Sequence, residues 1–109
     1  MTFFEGKRLV RDKALDTWRV EGKEHQVRPV HDRHELDKLL RVKLQEEVEE
    51  VLCASNKQEI AEEIADVMAV LAGIADFNNV DTDEIEDIYD RKLANSGGFF
   101  SGMVWDTNI

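Results

Sequence analysis

The sequence predicts an all-α protein built on an antiparallel helix hairpin with flanking helices. Three observations predict it. Apolar residues recur at intervals of three and four from Leu36 to Ile74, the period of an amphipathic helix. Polar cap residues with an acidic partner three positions on mark three helix starts: Asp32 with Glu35, Asn56 with Glu59, and Asp81 with Glu84. The only proline, Pro29, precedes all three, and no Pro/Gly-rich linker divides the chain.

Taken in order, residues 1–30 read as an irregular N-terminal arm. Within it, Arg11 to Glu21 suits a short helix ended by Gly22, followed by an extended stretch through Val27, Pro29 and Val30. The first long helix starts near Asp32 and runs to about Ala54. The second follows the Asn56 cap and runs to about Phe77, with Asn78–Asn79 as a turn. The third starts near Asp81 and ends near Asn95, before Gly97–Gly98. Residues 96–109 form a C-terminal arm. It carries Phe99, Phe100, Met103, Val104 and Trp105, more apolar surface than a free tail usually bears, so it is expected to be ordered and packed on a neighbour.

A chain of 109 residues suggests one domain spanning 1–109. Its core is modest, and small helical chains often gain burial by associating. With 42% hydrophobic and 35% charged residues the chain belongs with globular rather than disordered proteins. The lone Cys53 rules out an intrachain disulfide and fits a reducing cytoplasm. The longest apolar stretch, Val67 to Ala75, contains a glycine and is too short to span a bilayer. The first eight residues mix acid and base with no signal-like run, so a soluble, non-exported protein is expected. The net charge of −10 argues against a nucleic acid polymer as partner. It would also repel a phosphorylated substrate unless cations intervene.

Most of the 24 acids serve solubility, but four sit where solubility cannot explain them. Each helical residue turns the side chain by about 100°. On that wheel the first long helix has an apolar stripe of Leu36, Leu39, Leu40, Leu44, Val48 and Val51. Glu49 lies opposite it, whereas Glu47 and Glu50 fall inside it, with Lys43 between them in angle. The second helix repeats the anomaly. Glu63 projects between Val70 and Ile74, Asp66 lies at the stripe's edge, and Glu62 points away. Glu47 and Glu50 are three apart, as are Glu63 and Asp66, so each pair shares one helix face. In an antiparallel hairpin turning near residues 54–57, Glu47 falls level with Asp66 and Glu50 with Glu63. Unpaired buried carboxylates each cost several kcal/mol, roughly, and Lys43 alone cannot balance four. A divalent metal at Glu47, Glu50, Glu63 and Asp66 resolves the conflict, and an oxygen-only donor set suits Mg2+ or Mn2+. None of His25, His31 or His34 has an acid three residues before it, which argues against a di-iron carboxylate site.

At these residues the chain resembles the MazG-like all-α nucleoside triphosphate pyrophosphohydrolases. Their E-E-x-x-E signature reads here Glu46-Glu47-Val48-Glu49-Glu50, and their E-x-x-D reads Glu63-Ile64-Ala65-Asp66. Leu9-Val10-Arg11-Asp12-Lys13 is similar to the opening of the short phosphoribosyl-ATP-pyrophosphohydrolase-like branch, and Gly97-Gly98-Phe99 to its C-terminal motif. Two departures stand out: Ala14 replaces a β-branched residue usual after the opening, and Ser96 a basic residue before the glycines. The resemblance implies cleavage between the α- and β-phosphates of a nucleotide, giving a monophosphate and pyrophosphate. It also implies a helical bundle of the four-helix type, completed by association into dimers or dimers of dimers.

With that chemistry, Glu47, Glu50, Glu63 and Asp66 are expected as metal ligands. Glu46, turned about 100° from Glu47, is the candidate to orient the attacking water or hold a second ion, unless it is a surface acid. Phosphate contacts are expected from Lys92 and Asn95, three apart on the third helix, from Arg11 and Lys13 in the family-like opening, and from Lys43. His31 and His34 flank a helix start and suit capping or exposure. Trp18 and Trp105 could stack on a base, though core packing is the default, and Cys53 is expected as a packing residue. Two readings compete with aberrant-nucleotide clearance, the family's house-cleaning role: the phosphoribosyl-ATP pyrophosphohydrolase of histidine synthesis, and a non-catalytic helical dimerisation module.

Overall fold

The computed structural model describes residues 7–14, 16, 22 and 27–109. Among them are three long helices and no strand: α1 (Arg33–Cys53), α2 (Lys57–Phe77) and α3 (Thr82–Ser96). The short helix expected over Arg11–Glu21 lies largely outside the described residues. What is described agrees with a helix start: Asp12–Lys13 form a turn, Ala14 N donates to Arg11 O at 3.0 Å, and Ala14 and Asp16 are helical. Trp18 and His25 also lie outside the described residues.

Every long helix is capped by the expected residue, each cap satisfying a backbone N–H that the helix leaves free. Asn56 accepts from Glu59 N at 2.9 Å, and Glu59 reaches back to Ser55 N at 3.1 Å. The reciprocal box therefore closes one residue early. Asp81 caps α3 through Asp83 N at 2.9 Å. At α1 the expected box does not form. Asp32 accepts from His34 N at 2.9 Å, while Glu35 is drawn off by two hydrogen bonds from the Arg28 guanidinium, at 3.1 and 2.9 Å. That bidentate pair is a stronger partner than a single backbone amide. The hydrogen bonds from Arg28, and then its charge, hold the Glu35 carboxyl below its usual range.

Three residues, 54–56, join α1 to α2, so the helices run antiparallel. Two contacts fix the pairing. At the open end Arg33 donates to the Phe77 carbonyl at 3.1 Å and lies over its ring, 4.2 Å from the centroid. Further along the hairpin, a Cβ on Gly73 would lie 3.4 Å from Leu40 Cδ2, so the two helices meet there at contact distance. Leu40 is seven residues before Glu47 and Gly73 seven after Asp66, so this contact carries the register expected for the acids.

The chain leaves α2 through Asn79, whose φ of 57° is left-handed, an arrangement asparagine tolerates better than most residues. Val80 N then donates to Ala75 O at 2.9 Å. Beyond it, α3 packs extensively against neither hairpin helix. The radius of gyration, 17.7 Å, exceeds the ~13 Å of a compact chain this long.

The apolar stripes are accordingly only half covered. Among the described residues, Leu39 and Ala75 are the buried hydrophobic ones, and the buried polar ones are Glu46 and Glu47. Val48 is exposed, as are Ile60, Ile64, Met68 and Leu71 on α2 and Ile85, Ile88, Tyr89 and Leu93 on α3. The tail residues expected to pack, Phe99, Phe100, Met103, Val104 and Trp105, find no cover among the described residues; Trp105 is 90% exposed. No helix among the described residues is long and apolar enough to cross a membrane.

Candidate metal centre

The hairpin register delivers the acids to one level. Glu47 and Glu50 from α1 and Glu63 from α2 each offer a carboxylate oxygen within 4.8 Å of the others. Ligand oxygens about 2.1 Å from a shared Mg2+ lie at most ~4.2 Å apart, so a small side-chain adjustment lets the three share an ion. One Glu63 oxygen, Oε2, is withdrawn from water and has no hydrogen-bond partner among the described residues. A buried acceptor left unpaired is expensive, and a cation would relieve it. The Glu63 carboxyl is pushed above its usual range, first by that burial and then by Glu50, with Asp66 and Glu47 adding to it. The donor set, all carboxylate oxygen, fits a hard divalent ion.

Asp66, the fourth acid expected, faces the same region but is occupied otherwise: Arg11 of the N-terminal segment ion-pairs with it. Lys43 bridges the α1 acids, its Nζ 3.2 Å from Glu47 Oε1 and 3.5 Å from Glu46 Oε1. The wheel underestimates Glu46 and overestimates Glu50. Glu46 is only 7% exposed, whereas Glu50, expected inside the stripe, is an exposed residue whose carboxylate still reaches the cluster. The reason is Arg8. The N-terminal segment reaches the Glu46 side of α1, Arg8 Nη1 lies 2.9 Å from Glu46 Oε1, and Glu46 Oε2 is withdrawn from water without a hydrogen-bond partner among the described residues. Arg8 escaped the sequence reading. The one available hint is its position three residues before Arg11 in an otherwise acidic chain.

Two cavities flank the acids. One, about 460 Å³, is lined by Arg8, Glu46, Glu50 and Glu63 and by Cys53, which is exposed rather than packed. The other, about 880 Å³, brings Arg11, Lys13 and Lys43 together with Glu47 and Asp66, and runs on over Leu36, Leu40, Val70 and Phe77. Three of the five expected phosphate-binding residues thus share one cavity. Lys92 and Asn95 do not join them: they lie on α3 and line neither cavity. His31 and His34 are exposed beside the α1 cap, as expected.

A helix hairpin whose two helices bring their carboxylates together, rimmed by cations, fits a protein of the MazG-like all-α type. Residues 20–93, well over half of the chain, match the phosphoribosyl-ATP pyrophosphohydrolase family, and the chain belongs to that family. Membership assigns it a pyrophosphohydrolase activity on nucleotides. The matched region contains both acid motifs and most of α3, and leaves out the opening around Arg11 and the Gly97-Gly98-Phe99 motif. No curated protein and no solved structure matches the chain.

Proposed function

We propose that the protein is a Mg2+-dependent nucleoside triphosphate pyrophosphohydrolase, with Mn2+ as a working substitute. It cleaves the α–β phosphoanhydride, gives a nucleoside monophosphate and pyrophosphate, and clears aberrant nucleotides in the cytoplasm. The observation that carries the reading is the meeting of Glu47, Glu50 and Glu63 oxygens across the two helices within 4.8 Å of one another, in a chain of this family. Glu47, Glu50, Glu63 and Asp66 would hold the ion. When bound, it supplies neutralising charge for phosphate oxygens and polarises the phosphorus for in-line attack by water.

The chain's own residues supply the rest. Glu46, close to the metal ligands, is assigned to orient the attacking water and take its proton. Lys43, Arg11 and Lys13 line the 880 Å³ cavity where a triphosphate would lie, and their charge offsets the repulsion of an acidic protein. The apolar continuation over Leu36, Leu40, Val70 and Phe77 suits a sugar and base. Lys92 and Asn95 are assigned to phosphate contacts in the assembled enzyme, a homodimer or homotetramer. The uncovered apolar stripes of α2 and α3 and the tail from Phe99 support that assembly and a bundle-type core.

The deciding experiment is pyrophosphate release across a panel of common and modified triphosphates, with Mg2+ or Mn2+ and with chelator. Glu50→Gln or Asp66→Asn should abolish release while leaving helical content unchanged, and retained turnover would refute the assignment. One observation favours a second reading: the matched family is described by phosphoribosyl-ATP. Turnover of phosphoribosyl-ATP in preference to every triphosphate would move the protein to histidine synthesis. A Mg2+-raised melting temperature with no hydrolysis at all would make the acids part of a dimerisation module.

A further inference from the structure

Asp66 is level with the carboxylates that meet across the hairpin, yet its partner is Arg11. Among the described residues, three cations, Arg8, Arg11 and Lys43, pair with acids of this cluster. The acids are five: Glu46, Glu47, Glu50, Glu63 and Asp66. One ion at Glu47, Glu50 and Glu63 would leave Arg11 on Asp66. Freeing Asp66 for the metal strands Arg11, unless another anion receives it.

That anion has a place. Arg11, Lys13, Lys43 and Asp66 line the same cavity, so Arg11 can turn from Asp66 to a ligand there without its backbone moving. The Arg11 side chain is 67% exposed and that of Asp66 37%, and such solvent-exposed pairs are weak and readily exchanged. The neighbouring Arg8–Glu46 pair, by contrast, is anchored on a carboxylate only 9% exposed, so it keeps the segment in place while Arg11 turns.

We propose that Arg11 is an exchangeable stand-in cation, held by Asp66 in the metal-free enzyme and handed to the phosphates of an incoming nucleotide as Asp66 turns to the metal. The proposal rests on the metal and nucleotide reading given above and adds a coupling to it. Metal alone competes with Arg11 for Asp66, and nucleotide removes the competitor. Each ligand therefore strengthens binding of the other by the same factor.

Calorimetric titration of the full chain tests this, with Mn2+ alone and with Mn2+ plus a triphosphate whose α–β bridge is a non-hydrolysable methylene. Arg11→Ala should bind Mn2+ alone about fivefold more tightly, or about 1 kcal/mol, because the competitor is gone. It should bind the analogue more weakly at saturating Mn2+, and the enhancement of Mn2+ affinity by the analogue should shrink. Arg11→Lys, which keeps the charge, should restore most of the coupling. Unchanged or weaker Mn2+ binding by Arg11→Ala, with Glu50→Gln still abolishing it, would overturn the exchange and leave the metal site standing. If wild type takes up no Mn2+ at all, the metal reading fails and the exchange with it.

Discussion

The Arg8 guanidinium and the Glu46 carboxylate, 38 residues apart in the chain, meet at 2.9 Å, and the second Glu46 oxygen is withdrawn from water. This pair ties the N-terminal segment to α1. Arg8→Ala should leave Glu46 with Lys43 alone and, because Arg8 itself is largely exposed, cost about 1 kcal/mol or less. Urea denaturation would measure it. Glu46→Gln should do something different: lower kcat about a hundredfold or more if Glu46 moves a proton, with Mn2+ binding retained. A variant with full kcat would return Glu46 to a structural part.

The metal-free protein should report Glu63 through its pH profile. Burial, and then Glu50, raise the Glu63 carboxyl above its usual range. The native state therefore holds this proton more tightly than the unfolded chain. The resulting stability is complete below the unfolded value and is lost as pH rises through the native one. Melting temperatures of chelator-treated wild type should fall over that rise, and Glu63→Gln should flatten the fall and melt higher at neutral pH. Parallel profiles for the two proteins would show that the crowding of carboxylates is not felt. Glu35 acts in the opposite sense: its lowered carboxyl loses its contribution as pH falls through the native value.

Gly73 separates helix propensity from packing. A Cβ there would meet Leu40 Cδ2 at 3.4 Å, an ordinary contact. Gly73→Ala should stabilise by about 0.5–1 kcal/mol, through the backbone entropy lost by a helical glycine. Gly73→Leu has no such room, and it should lower both the melting temperature and Mn2+ affinity by wedging the hairpin open above the acids. Loss of stability in the alanine variant would mean the helices are already at closest approach.

Removing residues 99–109 tests what the tail covers. Phe99, Phe100, Met103, Val104 and Trp105 are exposed in one chain. In the proposed assembly they bury against a second copy. Light scattering should then show the shortened protein at lower mass than the full chain, with a lower melting temperature that depends less on concentration. An unchanged mass would confine the association to the α2 and α3 stripes.

The sequence foretold the hairpin because its signals are local and periodic. The Asn56 and Asp81 caps, the Asn78–Asn79 turn, and the Glu47–Glu63–Glu50 meeting follow from counting along helices, and the Leu40–Gly73 contact has the register that counting requires. The burial of Glu46 is not legible on a helical wheel, which knows only the face toward the partner helix, and the Arg8 that pairs with it comes from a segment without periodicity. Glu35 lost its place in a capping box to Arg28, a competitor no cap pattern encodes. The tail's apolar content was plain, but composition does not say which copy of the chain it covers.

The departure of α3 from its own hairpin has a genetic consequence. In the proposed assembly, the carboxylates from one copy and Lys92 from another make up a single working centre. Damage to either half then need not be fatal in mixed company. Chains carrying Glu50→Gln and chains carrying Lys92→Ala, each inert when purified alone, should regain measurable turnover once co-refolded, since some hybrid pairs assemble one intact centre from two broken parents.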